Sequence, residues 1–392
     1  MKVAVLGHRR FPIAEPFAGG LERFTHQLVT GLKQRDCEVS LFAQDNSDRS
    51  LDVALEPIID TSFCTDWSEE SHEAYLNIMD YLSTQDFDLV HDNSLNYFPM
   101  VLADSLNAPL VTTLHTPPFP RLLSAVRYRE RRQQGNYIAV SNANADLWGI
   151  SSHRLQTIYN GVDTKAFCDT VYEHRTHAVW IGRIVPEKGT HLAIAAAQKA
   201  NIPLVIAGKI GDEKYFETAV QPYLGKGVKY VGHLKQPELV ELLQSATVTL
   251  CTPVWSEPFG LVVIESLACG TPVVAFNRGA MSEILTRYTG IIVPPNDTDA
   301  MAEGIFKAKK LSRFACRKDA VERFSISKTI DNYLQAYERI IKQHKQQRIC
   351  SLVTTYTSTV ADTLIEPERS RHASLSPLPS SALTSVNISG TE

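Results

Sequence analysis

The chain has 392 residues, a formal net charge of −4 at pH 7 and a hydrophobic fraction of 44%. This length and composition suit two domains with filled cores, and the charge excludes the strongly basic surface of most nucleic-acid-binding proteins. Seven scattered cysteines without C-x-x-C spacing disfavour a disulfide framework and a zinc site, and are typical of the reducing cytosol.

The N-terminal stretch MKVAVLGHRRFP has too short an apolar run for a signal peptide. The sequence also lacks a run of about 18 apolar residues, the length needed to span a membrane. We therefore expect a soluble, cytoplasmic protein, with peripheral contact at the inner face of a membrane as the open alternative.

The first half alternates short β-branched runs with longer amphipathic segments. Within 21–35, Leu21, Phe24, Leu28 and Leu32 recur at helical spacing. Apolar strands that alternate with helices are typical of a parallel sheet covered on both faces. The predicted strands are KVAVLG (2–7), EVSLFA (38–43), DLVHD (88–92), PLVTTLH (109–115) and NYIAVS (136–141), with LQTIYN (155–160) as a candidate sixth.

The same rhythm restarts after residues 162–176, where the apolar period is lost. We predict two doubly wound α/β domains that face each other, one over 1–165 and the other over 166–325. In open α/β sheets, ligands bind beyond the carboxyl ends of the strands, so the cleft is the expected site. The second set of predicted strands is HAVWIGRI (177–184), PLVIAGK (203–209), VKYVGHL (228–234), VTLCTP (248–253), TPVVAF (271–276) and GIIVP (290–294).

A last amphipathic helix is predicted over 326–346, and we expect it to pack back on the first domain. The segment that follows is rich in serine and threonine, with 16 of them among the last 42 residues and one aromatic residue, Tyr356. Since that composition cannot bury a core, we predict a disordered tail over 347–392.

The loop GRIVPEKG places Arg183 after an apolar strand and Lys188 before a helical run. Two cations beside free helix amides make an anion site that suits phosphate. The alternative is a solvated loop with surface cations.

The stretch SEPFGLVVIESL sets Glu257 in a turn and Glu265 eight residues later, inside an apolar helical run. Pro258 begins that helix, so the amides of Phe259, Gly260 and Leu261 are left for a ligand. Carboxylates accept hydrogen bonds from two hydroxyls at once, which suits vicinal diols on sugars. The alternative is that Glu257 is a cap and Glu265 a paired buried acid.

The spacing E-P-F-G-L-V-V-I-E resembles the E-x7-E signature of retaining glycosyltransferases with the GT-B fold, and residues 1–345 resemble glycosyltransferase family 4. The ordered series that carries this resemblance is FAGGLERF with Gly19 and Gly20, TLHTPP with His115, AVSNANAD, IYNGVD, GRIVPEKG, AGK, GHL, ACGTPVVAF and RGAMSEIL. The last motif departs from the family in having Ala280 and Ser282. Glu283 is expected to begin a helix rather than to contact ligand.

The resemblance implies a nucleoside-diphosphate sugar as donor, bound mainly by the domain over 166–325, while the domain over 1–165 lies on the acceptor side. It places Arg183 and Lys188 on the diphosphate, Glu265 on the ribose and Glu257 on the transferred sugar. It further implies that the amides of residues 259–261 meet the sugar and phosphate, that Gly19 and Gly20 approach the phosphate and acceptor, and that His115 faces the reacting sugar. The catalytic set is thus His115, Arg183, Lys188 and Glu257.

The resemblance also implies retention of anomeric configuration, without a metal or other cofactor. The donor base is open among uracil, guanine and adenine, with uracil as the working expectation. The acceptor is a sugar, a lipid-linked molecule or a small molecule.

Two basic stretches carry open alternatives. Arg9 and Arg10 either face solvent or contact phosphate or an anionic acceptor. Residues 121–135 hold five arginines and predict either a solvated helix or weak contact with an anionic membrane surface.

Three other functions compete with sugar transfer. They are a phosphorylase or hydrolase that uses the same cleft, a catalytically silent nucleotide-sugar binder or scaffold, and a nicotinamide dehydrogenase. The presence of Glu257, Arg183 and Lys188 disfavours a silent protein, and the missing G-x-G-x-x-G turn disfavours a dehydrogenase.

Overall fold

The computed structural model describes residues 1–51, 54–57, 67–170, 172 and 175–365. The described residues fall into two units, which divide between Lys342 and Gln343. The first unit holds two parallel sheets and the cleft between them. The second is described as the continuation of the last helix, up to Ile365.

The first sheet has seven parallel strands in the order β3-β2-β1-β4-β5-β6-β7. Its strands are β1 Lys2–Leu6, β2 Glu38–Ala43, β3 Ala54–Pro57, β4 Leu89–Asp92, β5 Leu110–Leu114, β6 Tyr137–Ala139 and β7 Leu155–Thr157. Its helices are α1 Gly20–Lys33, α2 Trp67–Ser83, α3 Phe98–Val101, α4 Pro120–Arg131 and α5 Asn142–Trp148.

The second sheet has six parallel strands in the order β10-β9-β8-β11-β12-β13. Its strands are β8 Ala178–Ile181, β9 Leu204–Ala207, β10 Val228–Tyr230, β11 Val248–Cys251, β12 Val273–Phe276 and β13 Gly290–Val293. Its helices are α6 Thr190–Lys199, α7 Glu213–Ala219, α8 Gln236–Ser245, α9 Leu261–Ala268, α10 Met281–Ile284, α11 Thr298–Ala308 and α12 Arg313–Phe324. Two parallel sheets alternating with helices confirm the predicted doubly wound architecture.

Both faces of the first sheet are buried, which explains why its strands read as nearly continuous apolar runs. Along β1, Val3 and Val5 belong to one core cluster, whereas Ala4 and Leu6 belong to another. Strand β3 was not predicted from the sequence. Its four residues include a glutamate and a proline, which are both depleted in strands, and it lies at the edge of the sheet.

The last helix, α13 Ile326–Ile365, returns the chain to the first sheet. Ile330, Tyr333 and Tyr337 are buried in one cluster with residues of β1 and α1. Two backbone hydrogen bonds join the start of this helix to the segment in which the chain first leaves the first domain. The amide of Val162 donates to the Phe324 carbonyl at 2.8 Å, and the amide of Ile326 donates to the Val162 carbonyl at 2.9 Å.

The structure differs from the predicted disordered tail over residues 347–365, which continue α13. The prediction considered only whether the segment could bury a core. Local propensity permits a helix here, because neither glycine nor proline occurs between Ile326 and Pro367. The remainder of the predicted tail, 366–392, lies outside the described residues. None of the described helices combines the length and apolar character needed to cross a membrane.

We expect the burial of His91 to make the stability of the first unit depend on pH. Its side chain lies on β4, fully buried, where it hydrogen bonds to Tyr337 Oη through Nδ1 and to Thr113 Oγ1 at 2.7 Å through Nε2. Burial lowers the pKa of His91 to about 3, with a smaller contribution from His115. In the unfolded chain a histidine titrates near 6.5, so below that pH the unfolded state binds the proton first.

We therefore expect His91 alone to lower the free energy of unfolding by about 2 kcal/mol between pH 7.5 and pH 5. Urea unfolding at both pH values measures this loss. His91→Gln should reduce the pH slope by about one proton, whereas His153→Gln, at an exposed position, should not. Equal slopes for all three proteins would contradict the assignment.

Candidate active site

A cavity of about 410 Å³ lies between the two sheets of the first unit. All ten residues singled out in the sequence line it: Gly19, Gly20, His115, Arg183, Lys188, Glu257, Phe259, Gly260, Leu261 and Glu265. The cavity therefore gathers side chains that lie up to 246 positions apart, counted from Gly19 to Glu265. Their individual roles remain predictions.

Lys188 and Glu257 form an ion pair at one wall of the cavity. Lys188 ends a short 3-10 turn, and its Nζ lies 2.6 Å from Glu257 Oε2. Trp255 Nε1 donates to the same oxygen at 2.9 Å, and Lys188 Nζ lies 4.9 Å from the centre of a Trp255 ring. The Glu257 carboxylate is thus held in place by two donors before any ligand arrives.

Arg183 follows β8 and lines the cavity near the start of α1. Its side chain makes no hydrogen bond or ion pair with any residue that the structure describes. Its charge nevertheless contributes to the pKa shifts of two neighbouring side chains, His8 and Glu22. Burial lowers the pKa of His8 to about 4, with Arg10 and Arg183 adding to the effect. Burial raises the pKa of Glu22, and Arg183 opposes that rise. Arg183 is therefore available to an anion in the cleft.

The beginning of α9 presents backbone donors to the cavity. Within the described part of the chain, the amides of Phe259, Gly260 and Leu261 donate to no carbonyl or side chain. Gly260 has φ of +89°, a left-handed conformation that favours glycine and lets the chain enter the helix from the turn. Free amides and the positive end of the helix dipole together favour an anionic ligand.

Glu265 lies one turn further along α9 and is paired with Arg23 of α1. Glu265 is thus a paired buried acid, as the alternative from the sequence had it, but the sequence analysis did not identify Arg23 as its partner. Arg23 stands three residues after the Gly19-Gly20 loop, and the only signal in the sequence was its charge beside that loop.

His115 follows β5 and is held by its neighbours. Its Nε2 donates to Asn93 Oδ1 at 2.8 Å, and its ring lies 4.8 Å from that of Phe24, centre to centre. Desolvation lowers the pKa of His115 to about 3. The imidazole is therefore neutral at physiological pH, and it can hydrogen bond to a sugar but carries no positive charge.

The loop over residues 8–18 reaches across the cleft from the first domain. His233 Nε2 donates to the Phe17 carbonyl at 2.9 Å, and Lys209 Nζ lies 4.5 Å from the centre of the Phe11 ring. Of the two arginines left open in the sequence, Arg10 lines the cavity.

Glu283 joins the two domains. It lies within α10, and its carboxylate accepts from the amides of Asn142 at 2.9 Å and Ala143 at 2.5 Å, at the start of α5. The Tyr159 hydroxyl also donates to it, at 3.0 Å. Sequence reasoning placed Glu283 near the start of a helix but could not find these partners, since the contact joins distant parts of the chain.

Comparisons with known proteins identify the family to which the chain is similar. Residues 18–166 match the family model described as Glycosyltransferase Family 4, and residues 169–322 match the one described as Glycosyl transferases group 1. The chain is 28% identical over 240 residues to glycogen synthase of Mycobacterium tuberculosis, a match that spans 55% of this chain and 58% of that protein.

Solved structures of similar fold include sucrose-phosphate synthase from Thermosynechococcus elongatus, with a TM-score of 0.74, 20% identity, and coverage of 87% of this chain and 99% of that one. Anabaena HepE in complex with UDP and glucose gives a TM-score of 0.70 at 20% identity, covering 86% of this chain and 99% of that one. The chain spans about three fifths of the length of the first curated relatives. The similar solved structures show the GT-B fold, and because the two family models together cover most of the sequence, the chain belongs to glycosyltransferase family 4.

Proposed function

We propose that the protein is a retaining glycosyltransferase that moves a sugar from a nucleoside-diphosphate sugar to an acceptor hydroxyl without a metal ion. The observation that carries this proposal is the gathering of Arg183, Lys188 and the free amides of α9 in one cavity with two carboxylates. The cations and amides suit a diphosphate, and the carboxylates suit the hydroxyls of ribose and sugar.

In the proposed complex, Arg183 and Lys188 hold the diphosphate, the amides of residues 259–261 contact phosphate and sugar, and Glu257 accepts from sugar hydroxyls. Lys188 and Trp255 already fix Glu257 Oε2, so the carboxylate needs little reorganisation to receive a sugar. Glu265 accepts from the ribose. Gly19 and Gly20 let the first domain approach the phosphate and acceptor.

The reaction breaks the bond between the anomeric carbon and the phosphate oxygen and forms a bond from that carbon to the acceptor oxygen. The electron pair of the broken bond leaves with the diphosphate, and the acceptor proton passes to a phosphate oxygen. Attack from the face that the diphosphate leaves retains the anomeric configuration. Cations and amides fixed in advance stabilise the charge that develops on the diphosphate, so this chemistry does not need a metal ion.

His115 contributes as a neutral hydrogen-bonding group beside the reacting sugar. Its depressed pKa favours this role, because a cationic imidazole would disfavour the positive charge that develops at the anomeric carbon.

We favour uracil as the donor base, since the structure of HepE, which has the same fold, was solved with UDP and glucose. For the acceptor, we propose a sugar, a lipid-linked molecule or a small molecule. A membrane-surface contact through 121–135 would depend on charge alone, because Leu122 and Val126 of α4 are buried in the core, while Arg121, Arg127 and Arg131 are exposed.

A thermal-shift panel tests the proposal. UDP-, GDP- and ADP-sugars are compared in the presence of EDTA and in the presence of magnesium. A ligand that binds only the native state raises the melting temperature by mass action. We expect a clear rise with one nucleotide in EDTA. A shift that requires magnesium would refute metal independence, and no shift with any of them would refute the proposed donor class.

A further inference from the structure

Arg23 lines the cavity and connects the two domains. It lies in the first turn of α1, and its Nη1 donates to Glu265 Oε1 of α9. The Arg23 side chain is 12% exposed and that of Glu265 is 6% exposed. The guanidinium lies 5.5 Å from the centre of the Phe17 ring and 5.7 Å from that of Phe167, so aromatic side chains from both domains surround it.

This ion pair differs from one at the protein surface. A buried carboxylate is costly unless it is paired, and within the described residues Arg23 is the side chain that donates to Glu265. The bond occupies Oε1. No described group donates to Oε2, and Glu265 lines the cavity. One oxygen is thus neutralised by the first domain, while the other is left for a donor from a ligand.

The position of Glu265 links this pair to the nucleotide. In the function proposed above, Glu265 accepts from the ribose hydroxyls. A carboxylate with one oxygen fixed by a guanidinium has a defined orientation for its second oxygen. Because Arg23 belongs to the first domain and Glu265 to the second, this orientation exists only while the cleft is closed.

We propose that Arg23 is a positioning residue for the donor ribose: by pairing with Glu265 across the cleft, it orients that carboxylate toward the ribose hydroxyls and makes ribose recognition depend on closure of the two domains. The inference depends on the proposed function. It assigns a role in donor binding to a residue of the domain that we otherwise place on the acceptor side.

The test removes the ribose hydroxyls and the guanidinium separately. Calorimetric titrations measure the affinity of UDP, GDP and ADP and of their 2′,3′-dideoxy analogues for the wild type, Arg23→Gln and Arg23→Lys. Arg35→Gln is the matched control, since Arg35 lies two residues after the end of α1 and pairs with Asp331 at 2.6 Å, outside the cavity lining. The melting temperature of each variant reports whether it is folded.

For the nucleotide that the wild type binds, we expect Arg23→Gln to lower the affinity for the parent diphosphate by about 10-fold. The affinity for the dideoxy analogue should fall by less than about 2-fold. Arg23→Lys should restore part of the parent's affinity, and Arg35→Gln should change neither ligand. If Arg23→Gln does not fold, Arg23→Lys must still weaken the parent more than the analogue.

Equal weakening of both ligands would overturn the proposal, because it would mean that Arg23 supports the fold rather than the ribose. Tighter binding of the parent would overturn it too, since Arg23 would then compete with ribose for Glu265. If the wild type binds none of the diphosphates, the proposed function itself fails, which separates that result from a failure of the Arg23 assignment.

Discussion

Replacing Lys188 by alanine, or Arg183 by alanine, is expected to lower the rate of sugar transfer by about 100-fold or more. Both cations line the cavity beside the free amides of α9. Negative charge on the diphosphate grows as the glycosyl bond breaks, so the lost stabilisation falls mainly on the transition state. The loss should therefore appear in kcat as well as in kcat/KM.

The Lys188 variant has a second consequence. It leaves the buried Glu257 carboxylate with Trp255 as its remaining described donor, which adds a local electrostatic cost. Lys199→Ala is the matched control, because Lys199 lies on the adjacent helix α6 and pairs with Asp299 on the surface. Turnover that stays unchanged in both cavity variants would refute the phosphate assignment, whereas the control should retain wild-type turnover.

Gly279→Ala is expected to lower the free energy of unfolding by about 3 kcal/mol. Gly279 has φ of +58°, and a Cβ added there would lie 2.0 Å from the carbonyl oxygen of Glu257 and 2.5 Å from its amide nitrogen. The neighbouring Ala280 amide donates to that same carbonyl at 3.0 Å. The added Cβ therefore clashes with the backbone of Glu257 and should displace it. Because Glu257 lines the cavity, turnover should fall together with stability.

Gly225→Ala separates the clash from the backbone conformation. Gly225 has φ of +82°, but a Cβ added there meets no atom within 4 Å. Gly225→Ala should lower the free energy of unfolding by only about 1–2 kcal/mol, because alanine is disfavoured in the left-handed region. Chemical denaturation measures the free energy of unfolding of both variants. Equal decreases would contradict the prediction, since they would show that the Glu257 backbone can move away from the added Cβ at no cost.

Sequence periodicity predicted most strands but extended many of them too far. The strand predicted over 177–184 ends at Ile181 in the structure, and that predicted over 203–209 ends at Ala207. Beyond those ends regular pairing is reduced to an isolated parallel bridge between Ile184 and Ile210, and Arg183 and Lys209 line the cavity. The error has a physical basis, because apolar periodicity does not mark where the last ladder hydrogen bond is made.

Local motifs predicted which residues gather in the cleft, but not how the two domains meet. Lys188 and Glu257 could be singled out because each lies in a short motif with a chemical reason for its composition. The partners Arg23 and Glu283 could not, because each acts through a contact with the other domain. Such contacts depend on how the domains dock, which neither propensity nor spacing encodes.

The central claim is that the cleft binds a nucleoside-diphosphate sugar through Arg183 and Lys188 without a metal ion. Calorimetric titration of UDP-glucose into the wild type and Lys188→Ala, both in EDTA, tests it most directly. The account predicts saturable binding to the wild type and binding at least about 10-fold weaker in the variant. Equal affinity of the two proteins would contradict it.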